Sequence, residues 1–261
     1  AGCAVALLGL PDDTGVRLKH GRCGAAGGPA AFRAGLARYG AADSAAGALP
    51  RVFDAGDVRR GRSLDETHER VTAATTALLD AGLFPIAIGG GHDLTFPFVR
   101  AVAGKFSRPA GIYFDAHLDV RETAGSGMAF RRLVEDCGVR ALDLHGFRPL
   151  VNSRAHLAWF RAHGGKIRPD GARVVLPRAR HLFASLDLDV LDAAHAPGVS
   201  ALNSAGWTMR EAAAWVLACG ANARVRCFDL MELNPRFDLD GRTARAAAHL
   251  FLTFLGGFAQ R

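Results

Sequence analysis

The 261-residue sequence is poor in lysine, with only Lys19, Lys105 and Lys166. The formal charge of +7, from 32 Lys+Arg against 25 Asp+Glu, therefore rests on arginine. These arginines are scattered, and no basic stretch interleaved with aromatics occurs, which argues against a nucleic-acid partner. A small anionic substrate is an easier use for the surplus. The five cysteines, Cys3, Cys23, Cys137, Cys219 and Cys227, are odd in number and never form a C-x-x-C pair, so neither a disulfide framework nor a thiolate metal site is expected. No apolar run approaches the roughly 20 residues of a membrane span. The apolar start over residues 1–10 carries no basic n-region, so it reads as a buried first strand rather than a signal peptide. A start without Met reads as processed or trimmed, and the default expectation is a reduced, cytoplasmic protein. Repeats and Ser/Gly/Pro linker tracts are missing as well.

What is present is a globular composition: 49% hydrophobic and 22% charged residues, with 31 Gly and 11 Pro. That is too apolar for disorder and too poor in Gly and Pro for a collagen-like chain. Single α/β domains commonly run to about 250 residues, so one domain over 1–261 is the economical expectation. Short apolar runs alternate with longer Ala-rich amphipathic segments. Strands are expected at 4–8, 52–53, 85–88, 111–114, 141–144, 174–176, 181–188 and 225–230. Helices are expected at 29–38, 63–81, 94–103, 128–137, 155–163, 209–219 and 242–254, with start signals at Ser63 (Glu66 three residues on) and Thr208 (before Arg210-Glu211). Strands apolar on both faces and separated by helices imply a parallel sheet covered on both sides. The fold expected is a three-layer α/β/α architecture. Ala-rich helices such as 243–248 leave a homo-oligomer open.

Ligands of an open parallel sheet bind beyond the carboxyl ends of its strands, and four apolar runs here end in unusual polar sequence. These are Gly89-Gly90-Gly91-His92-Asp93, Asp115-Ala116-His117-Leu118-Asp119, Ser185-Leu186-Asp187-Leu188-Asp189, and Asp229 followed by Glu232-Leu233-Asn234-Pro235. Asp115, His117 and Asp119 recur at period two, as do Asp187 and Asp189, so an extended backbone would point each set to one face. With His92 the tally is four carboxylates and two imidazoles. Four such charges buried unpaired would cost several kcal/mol each, and a pair of divalent cations removes that cost. Mixed O and N donors without thiolate suit Mn²⁺, and less decisively Zn²⁺, Fe²⁺ or Co²⁺. Taken alone, D-x-H-x-D could be a turn around a core histidine, D-x-D a solvated strand end, and the triple glycine a tight turn. Their joint occurrence after apolar strands favours the metal site.

The three motifs resemble the signatures of the arginase/agmatinase/formimidoylglutamase (ureohydrolase) family. Gly15-Val16 to Gly21-Arg22, Gly24-Ala25, Gly28-Pro29, Arg33, the 52–57 segment and Ala196-Pro197-Gly198 also fit in order, so the likeness covers nearly the whole chain. The resemblance implies an arginase-like, mainly parallel sheet of about eight strands with two Mn²⁺ ions at its carboxyl edge. It implies that His92, Asp115, Asp119 and Asp187 hold one ion and that His117, Asp115, Asp187 and Asp189 hold the other. Such a pair lowers the pKa of a shared water enough to make a nucleophile near neutral pH, which attacks an amidine or guanidine carbon. Asp119 would shuttle the proton to the leaving amine. Glu232, in an E-x-N-P match, would pair with the amidinium N–H groups, although a surface or capping Glu is the bland alternative.

The segment after Asp119 bears on the substrate. Arginases and agmatinases carry a histidine in this loop, whereas residues 121–131 (RETAGSGMAFR) hold none, and the next is His145. This resembles the formimidoylglutamase pattern, D-x-R followed by S-G-x-x-F-R, and implies hydrolysis of N-formimidoyl-L-glutamate to L-glutamate and formamide in histidine breakdown. Arg121 and Arg131, with Ser126 and Gly127, would then bind the substrate carboxylates; solvated arginines are the alternative. Another amidino or guanidino hydrolase, or a catalytically silent metal-binding relative, are the competing readings. Three departures from the subfamily pattern bear on the pocket: Asp93 in place of Glu, Met128-Ala129 in place of Thr-Pro, and Lys19-His20 where Asn is common.

Overall fold

The computed structural model describes residues 2–40, 47–171 and 174–261. Residue 1, the start of the apolar segment, lies outside them. Among the described residues eight strands form one sheet: β1 (Val5–Leu10), β2 (Val52–Asp57), β3 (Phe84–Gly89), β4 (Ala110–Phe114), β5 (Leu142–His145), β6 (Gly165–Ile167), β7 (Leu182–Asp187) and β8 (Val225–Met231). Their order is β2-β1-β3-β8-β7-β4-β5-β6, and every pairing is parallel. The helices are α1 (Thr14–Leu18), α2 (Gly28–Leu36), α3 (Leu64–Asp80), α4 (Thr95–Lys105), α5 (Ala129–Cys137), α6 (Arg154–Ala162), α7 (Met209–Ala221) and α8 (Arg242–Phe258).

Strand alternation sorts the core into two layers. Val5, Leu7, Ile86, Ile88, Ile112 and Phe114 face one side, where Phe32 of α2, Trp215 of α7 and Phe251 and Phe254 of α8 cover them. Ala6, Leu8, Ala87, Tyr113 and Phe183 face the other, against Val71 of α3, Val99 of α4, Phe130 of α5 and Phe160 of α6. The expected three-layer parallel architecture is what forms, because strands buried on both faces need helices on both faces. Thr208 and Glu211 make a full capping box at the start of α7. At α3 only half of one forms: Ser63 accepts from Glu66 N (3.2 Å), while the Glu66 carboxylate takes the Arg62 N–H (2.6 Å).

One strand is corrected. Val174–Leu176 is irregular, with Val175 65% exposed and Val174 and Leu176 packed on the core. An apolar-exposed-apolar triplet mimics a strand, but here the two apolar side chains merely anchor a loop. The edge position belongs instead to Gly165–Ile167, paired with β5 through Leu142↔Gly165 and Leu144↔Ile167. A three-residue edge strand containing Gly and Lys carries no apolar run to reveal it.

Candidate metal centre and active site

The four polar motifs end β3, β8, β7 and β4, which are the four adjacent strands at the centre of the sheet. Gly90 lets their ends crowd together: its N–H donates to Leu10 O (2.9 Å), its carbonyl accepts from Glu232 N (2.8 Å), and a Cβ there would lie 1.8 Å from Asp12 O. Any side chain would push β3 away from β1. His92 then begins a single 3₁₀ turn, 92–94.

The period-two expectation holds for convergence but not for its cause. Asp115 follows the last residue of β4, and residues 115–120 are not extended strand. Instead Asp115 Oδ1 accepts from His117 N (2.6 Å), and Asp187 Oδ1 accepts from Asp189 N (2.7 Å). Each is an aspartate folding its own backbone into a turn. Asp119 completes the loop at φ +47°, a left-handed conformation rare without glycine, and Glu232 has φ +66°. Asn152 clamps the same loop from outside: its Oδ1 accepts from Leu118 N (3.0 Å) and its Nδ2 donates to Ala116 O (2.9 Å).

Donor atoms converge in two groups: His92, Asp115, Asp119 and Asp187, and Asp115, His117 and Asp189, each set within 4.8 Å. His92 Nδ1 lies 2.9 Å from Asp119 Oδ2, 3.1 Å from Asp115 Oδ2 and 3.2 Å from Asp187 Oδ2. His117 Nδ1 lies 3.0 Å from Asp189 Oδ2 and 3.3 Å from Asp115 Oδ1. Asp115 belongs to both groups, one oxygen to each; Asp187 belongs to the first through Oδ2, and its Oδ1 accepts from the N–H of Asp189, a member of the second. Among the described residues, His92 Nδ1, Asp115 Oδ2 and Asp189 Oδ1 are buried without a hydrogen-bond partner.

The electrostatics follow from burial. Asp115 is pushed up to about 6 by burial and by the charges of Asp119 and Asp189. Burial and Asp189 likewise raise Asp187 well above the carboxylate range. Burial opposes charge on the imidazoles, but surrounding carboxylates outweigh it: Asp115, Asp119 and Asp187 hold His92 well above its ordinary value, and Asp189 and Asp115 bring His117 to about 12. A cluster this anionic calls for positive charge among its donors, and divalent cations supply it. The residues present therefore fit a binuclear site of hard and borderline donors.

Beneath the cluster, Ser185 Oγ donates to Asp229 Oδ1 (2.6 Å) and lies 3.0 Å from His92 Nε2. With the serine proton committed to Asp229, His92 Nε2–H is the donor to Ser185, and this contact leaves Nδ1 facing the cluster. Asp229 is fully buried, and burial lifts it to about 7 against the pull of His92 and the Ser185 hydroxyl. Glu232 is 3% exposed; its Oε1 accepts from His92 N (2.8 Å), while Oε2 has no well-formed hydrogen bond among the described residues. Burial raises this carboxyl to about 8, the Ser200 hydroxyl and the His92 N–H moderating the rise.

A cavity of about 530 Å³ opens above these groups. Asp119, Glu232, Arg121, Ser126 and Gly127 all line it, together with His117, Asp187 and Asp189. Arg131 does not. It sits on α5, paired with Glu135 (2.8 Å) and stacked over Trp159 at 5.0 Å. A helix turns its residues in different directions, so closeness in sequence to Gly127 does not bring Arg131 to the cavity. Lys19, Asn152, Ser153, His156 and Ser200 line it without having been expected. Lys19 stood out only as a departure where Asn is common; Asn152-Ser153 closed a segment, from Gly146, that resembles the formimidoylglutamase pattern, and His156 and Ser200 carried no local signal. His145, the next histidine in sequence, is a core residue against Trp215 (4.1 Å), driven down to about 3 by burial and by Arg168.

A sheet of this order with this cluster at its centre defines a class, and the arginase family model matches residues 3–256: the chain belongs to the arginase family. Within the family, it is 37% identical over 283 residues to the formimidoylglutamase of Ralstonia nicotianae, covering 98% of this chain and 86% of that one. The formimidoylglutamase of Halobacterium salinarum is 34% identical, over 96% and 87% of the two chains. Among solved structures, the formiminoglutamase of Trypanosoma cruzi, determined with a pair of Mn²⁺ ions, superposes with a TM-score of 0.92 at 30% identity, covering 99% of this chain and 94% of that one.

Proposed function

We propose that the protein hydrolyses N-formimidoyl-L-glutamate, with water, to L-glutamate and formamide, as a single arginase-like domain over residues 1–261 carrying two Mn²⁺ ions. The observation that carries this reading is the convergence of six acidic and imidazole side chains at the floor of a cavity whose mouth holds Lys19 and Arg121. Metal chemistry at the floor suits an amidine carbon, and cations at the mouth suit a substrate with two carboxylates. The kinship with formimidoylglutamases points the same way.

His92, Asp115, Asp119 and Asp187 would hold one ion, and Asp115, His117, Asp187 and Asp189 the other. Bound there, the two ions supply Lewis acidity and a nucleophile derived from water at neutral pH. The chain's own residues do the rest. Glu232 Oε2, without a hydrogen-bond partner among the described residues, would accept the amidinium N–H groups and fix the formimidoyl carbon above the cluster. Asp119, in the cavity wall beside His92 Nδ1, would take a proton and pass it to the departing glutamate amine, which leaves poorly as an anion. Arg121, Ser126 and Gly127 would bind the substrate's carboxylate end. No helix among the described residues is long and apolar enough to cross a membrane, and the five cysteines are free. We place the reaction in the cytoplasm, in histidine degradation, with a small anionic amidine rather than a nucleic acid as the partner, in a chain that could assemble as a homo-oligomer.

A proton NMR time course of Mn²⁺-loaded protein with N-formimidoyl-L-glutamate tests the reading. Glutamate and formamide should appear together at a rate that EDTA abolishes. Ammonia with formylglutamate would mean deimination and a reversed leaving group. No turnover, with urea released from a guanidino acid instead, would move the enzyme to another branch of the family.

A further inference from the structure

Among the described residues, two cations at the cavity mouth have no counterion. Lys19 follows α1, and its stem lies across Gly125, where a Cβ would come within 2.6 Å of Lys19 Cγ and Cε. Gly125 also has φ +143°, so the position excludes a side chain twice over. Lys19 Nζ donates to Thr123 Oγ1. On the other side of Ser126, the stem of Arg121 lies across Gly127, where a Cβ would meet Arg121 Cδ at 2.9 Å. The loop is held in this shape by Arg121 N–H donating to Gly127 O (2.8 Å) and Phe130 N–H donating to Asp119 O (3.0 Å). The two glycines thus seat two cationic stems on either side of one serine, and all three side chains line the cavity.

Among the described residues neither Lys19 nor Arg121 forms an ion pair, although Arg33, Arg131 and Arg148 all do. The pair is mutually repulsive: burial and the Arg121 charge both lower the Lys19 pKa, and burial with Arg121 and Arg131 lowers that of His156, on the same wall. Holding like charges together without a carboxylate costs stability, and a dianionic ligand would reverse that cost. We propose that Lys19 is a specificity-determining residue that binds one of the two carboxylates of the substrate, Arg121 taking the other. This rests on the proposed reaction and adds to it the group that distinguishes a dicarboxylic amidine from a monocarboxylic one.

Steady-state kinetics of Lys19→Met in the Mn²⁺-loaded full chain test the assignment, since Met keeps most of the stem over Gly125 and deletes the charge. Losing one charge-assisted contact made equally in ground and transition states should raise KM for N-formimidoyl-L-glutamate about 10- to 100-fold, with kcat within about threefold. Two analogues locate the contact. N-formimidoyl-4-aminobutyrate lacks the α-carboxylate and N-formimidoyl-2-aminobutyrate lacks the side-chain one. One of them should lose as much as the parent on Lys19→Met, and the other should be unaffected, with Lys19→Arg restoring most of the parent KM. An unchanged parent KM, or equal losses on both analogues, would overturn the proposal. Calorimetry with L-glutamate separates this from the reaction itself. Should the wild type bind glutamate but turn over no formimidoyl compound, the reaction reading fails. Weaker glutamate binding by Lys19→Met would still uphold the carboxylate site, and equal binding would refute it.

Discussion

Replacing Ser185 with alanine tests whether His92 is held for its task from beneath. Ser185 Oγ lies 3.0 Å from His92 Nε2 and donates to Asp229 Oδ1 at 2.6 Å, with all three side chains buried. Alanine strands the His92 Nε2–H, a buried polar loss of about 1–3 kcal/mol, and removes one donor from Asp229, which keeps those of Thr95 and the Leu186 N–H. The imidazole also loses the constraint that keeps Nδ1 aimed at Asp115, Asp119 and Asp187. Loss of such an outer partner typically weakens metal binding about 10- to 100-fold. At a free Mn²⁺ concentration about 1,000 times the wild-type Kd, binding stabilises the fold by about 4.1 kcal/mol, falling to about 2.7 or about 1.4 kcal/mol for those weakenings. Isothermal titration of EDTA-stripped protein with Mn²⁺, with urea unfolding at fixed Mn²⁺, measures both. A folded Ser185→Ala protein that binds two Mn²⁺ ions with wild-type affinity would refute the reasoning.

Asp187→Ala removes a donor from the first group and should cut kcat/KM on the order of 10³-fold or more. Metal analysis should find fewer than two ions per chain, and full activity with two ions retained would sink the ligand map. The two arginines flanking the loop should behave differently. Arg121→Ala should raise KM about 10- to 100-fold through the lost carboxylate contact. Arg131→Ala should leave KM within about twofold and cost about 1 kcal/mol in urea unfolding, through the Glu135 pair and the Trp159 stack. The His145 ring, held at about 3 against roughly 6.5 in the unfolded chain, makes the unfolded state the one that binds the extra proton in between. Its contribution is therefore intact above pH 6.5 and declines as pH falls toward 3, by up to about 1.4 kcal/mol per pH unit. Urea unfolding from pH 7 to 4.5 should show this slope in wild type and a shallower one in His145→Gln; identical slopes would contradict the assignment.

The sequence alone determined the layers and the donor set. Strands such as those expected at 4–8 and 111–114 are apolar on both faces, so helices had to cover both, and alternation with Ala-rich segments required parallel crossovers. His92, Asp115, His117, Asp119, Asp187 and Asp189 were legible because each follows an apolar run, and because so many acids near one another make sense only with cations between them. Edge strand β6 was illegible, since three residues paired on one side need no apolar pattern, while Val174–Leu176 had the pattern without the pairing. Tertiary structure decided what lies next to what. The order that sets β3, β8, β7 and β4 side by side brings Glu232 to the backbone of His92 and Ser185 to its ring, across 140 and 93 residues. It also folds Lys19 over Gly125 and turns Arg131 away. Local propensity and periodicity act over a few residues, whereas these neighbours are chosen by which faces pack and which strands pair, and that is settled only when the whole sheet closes.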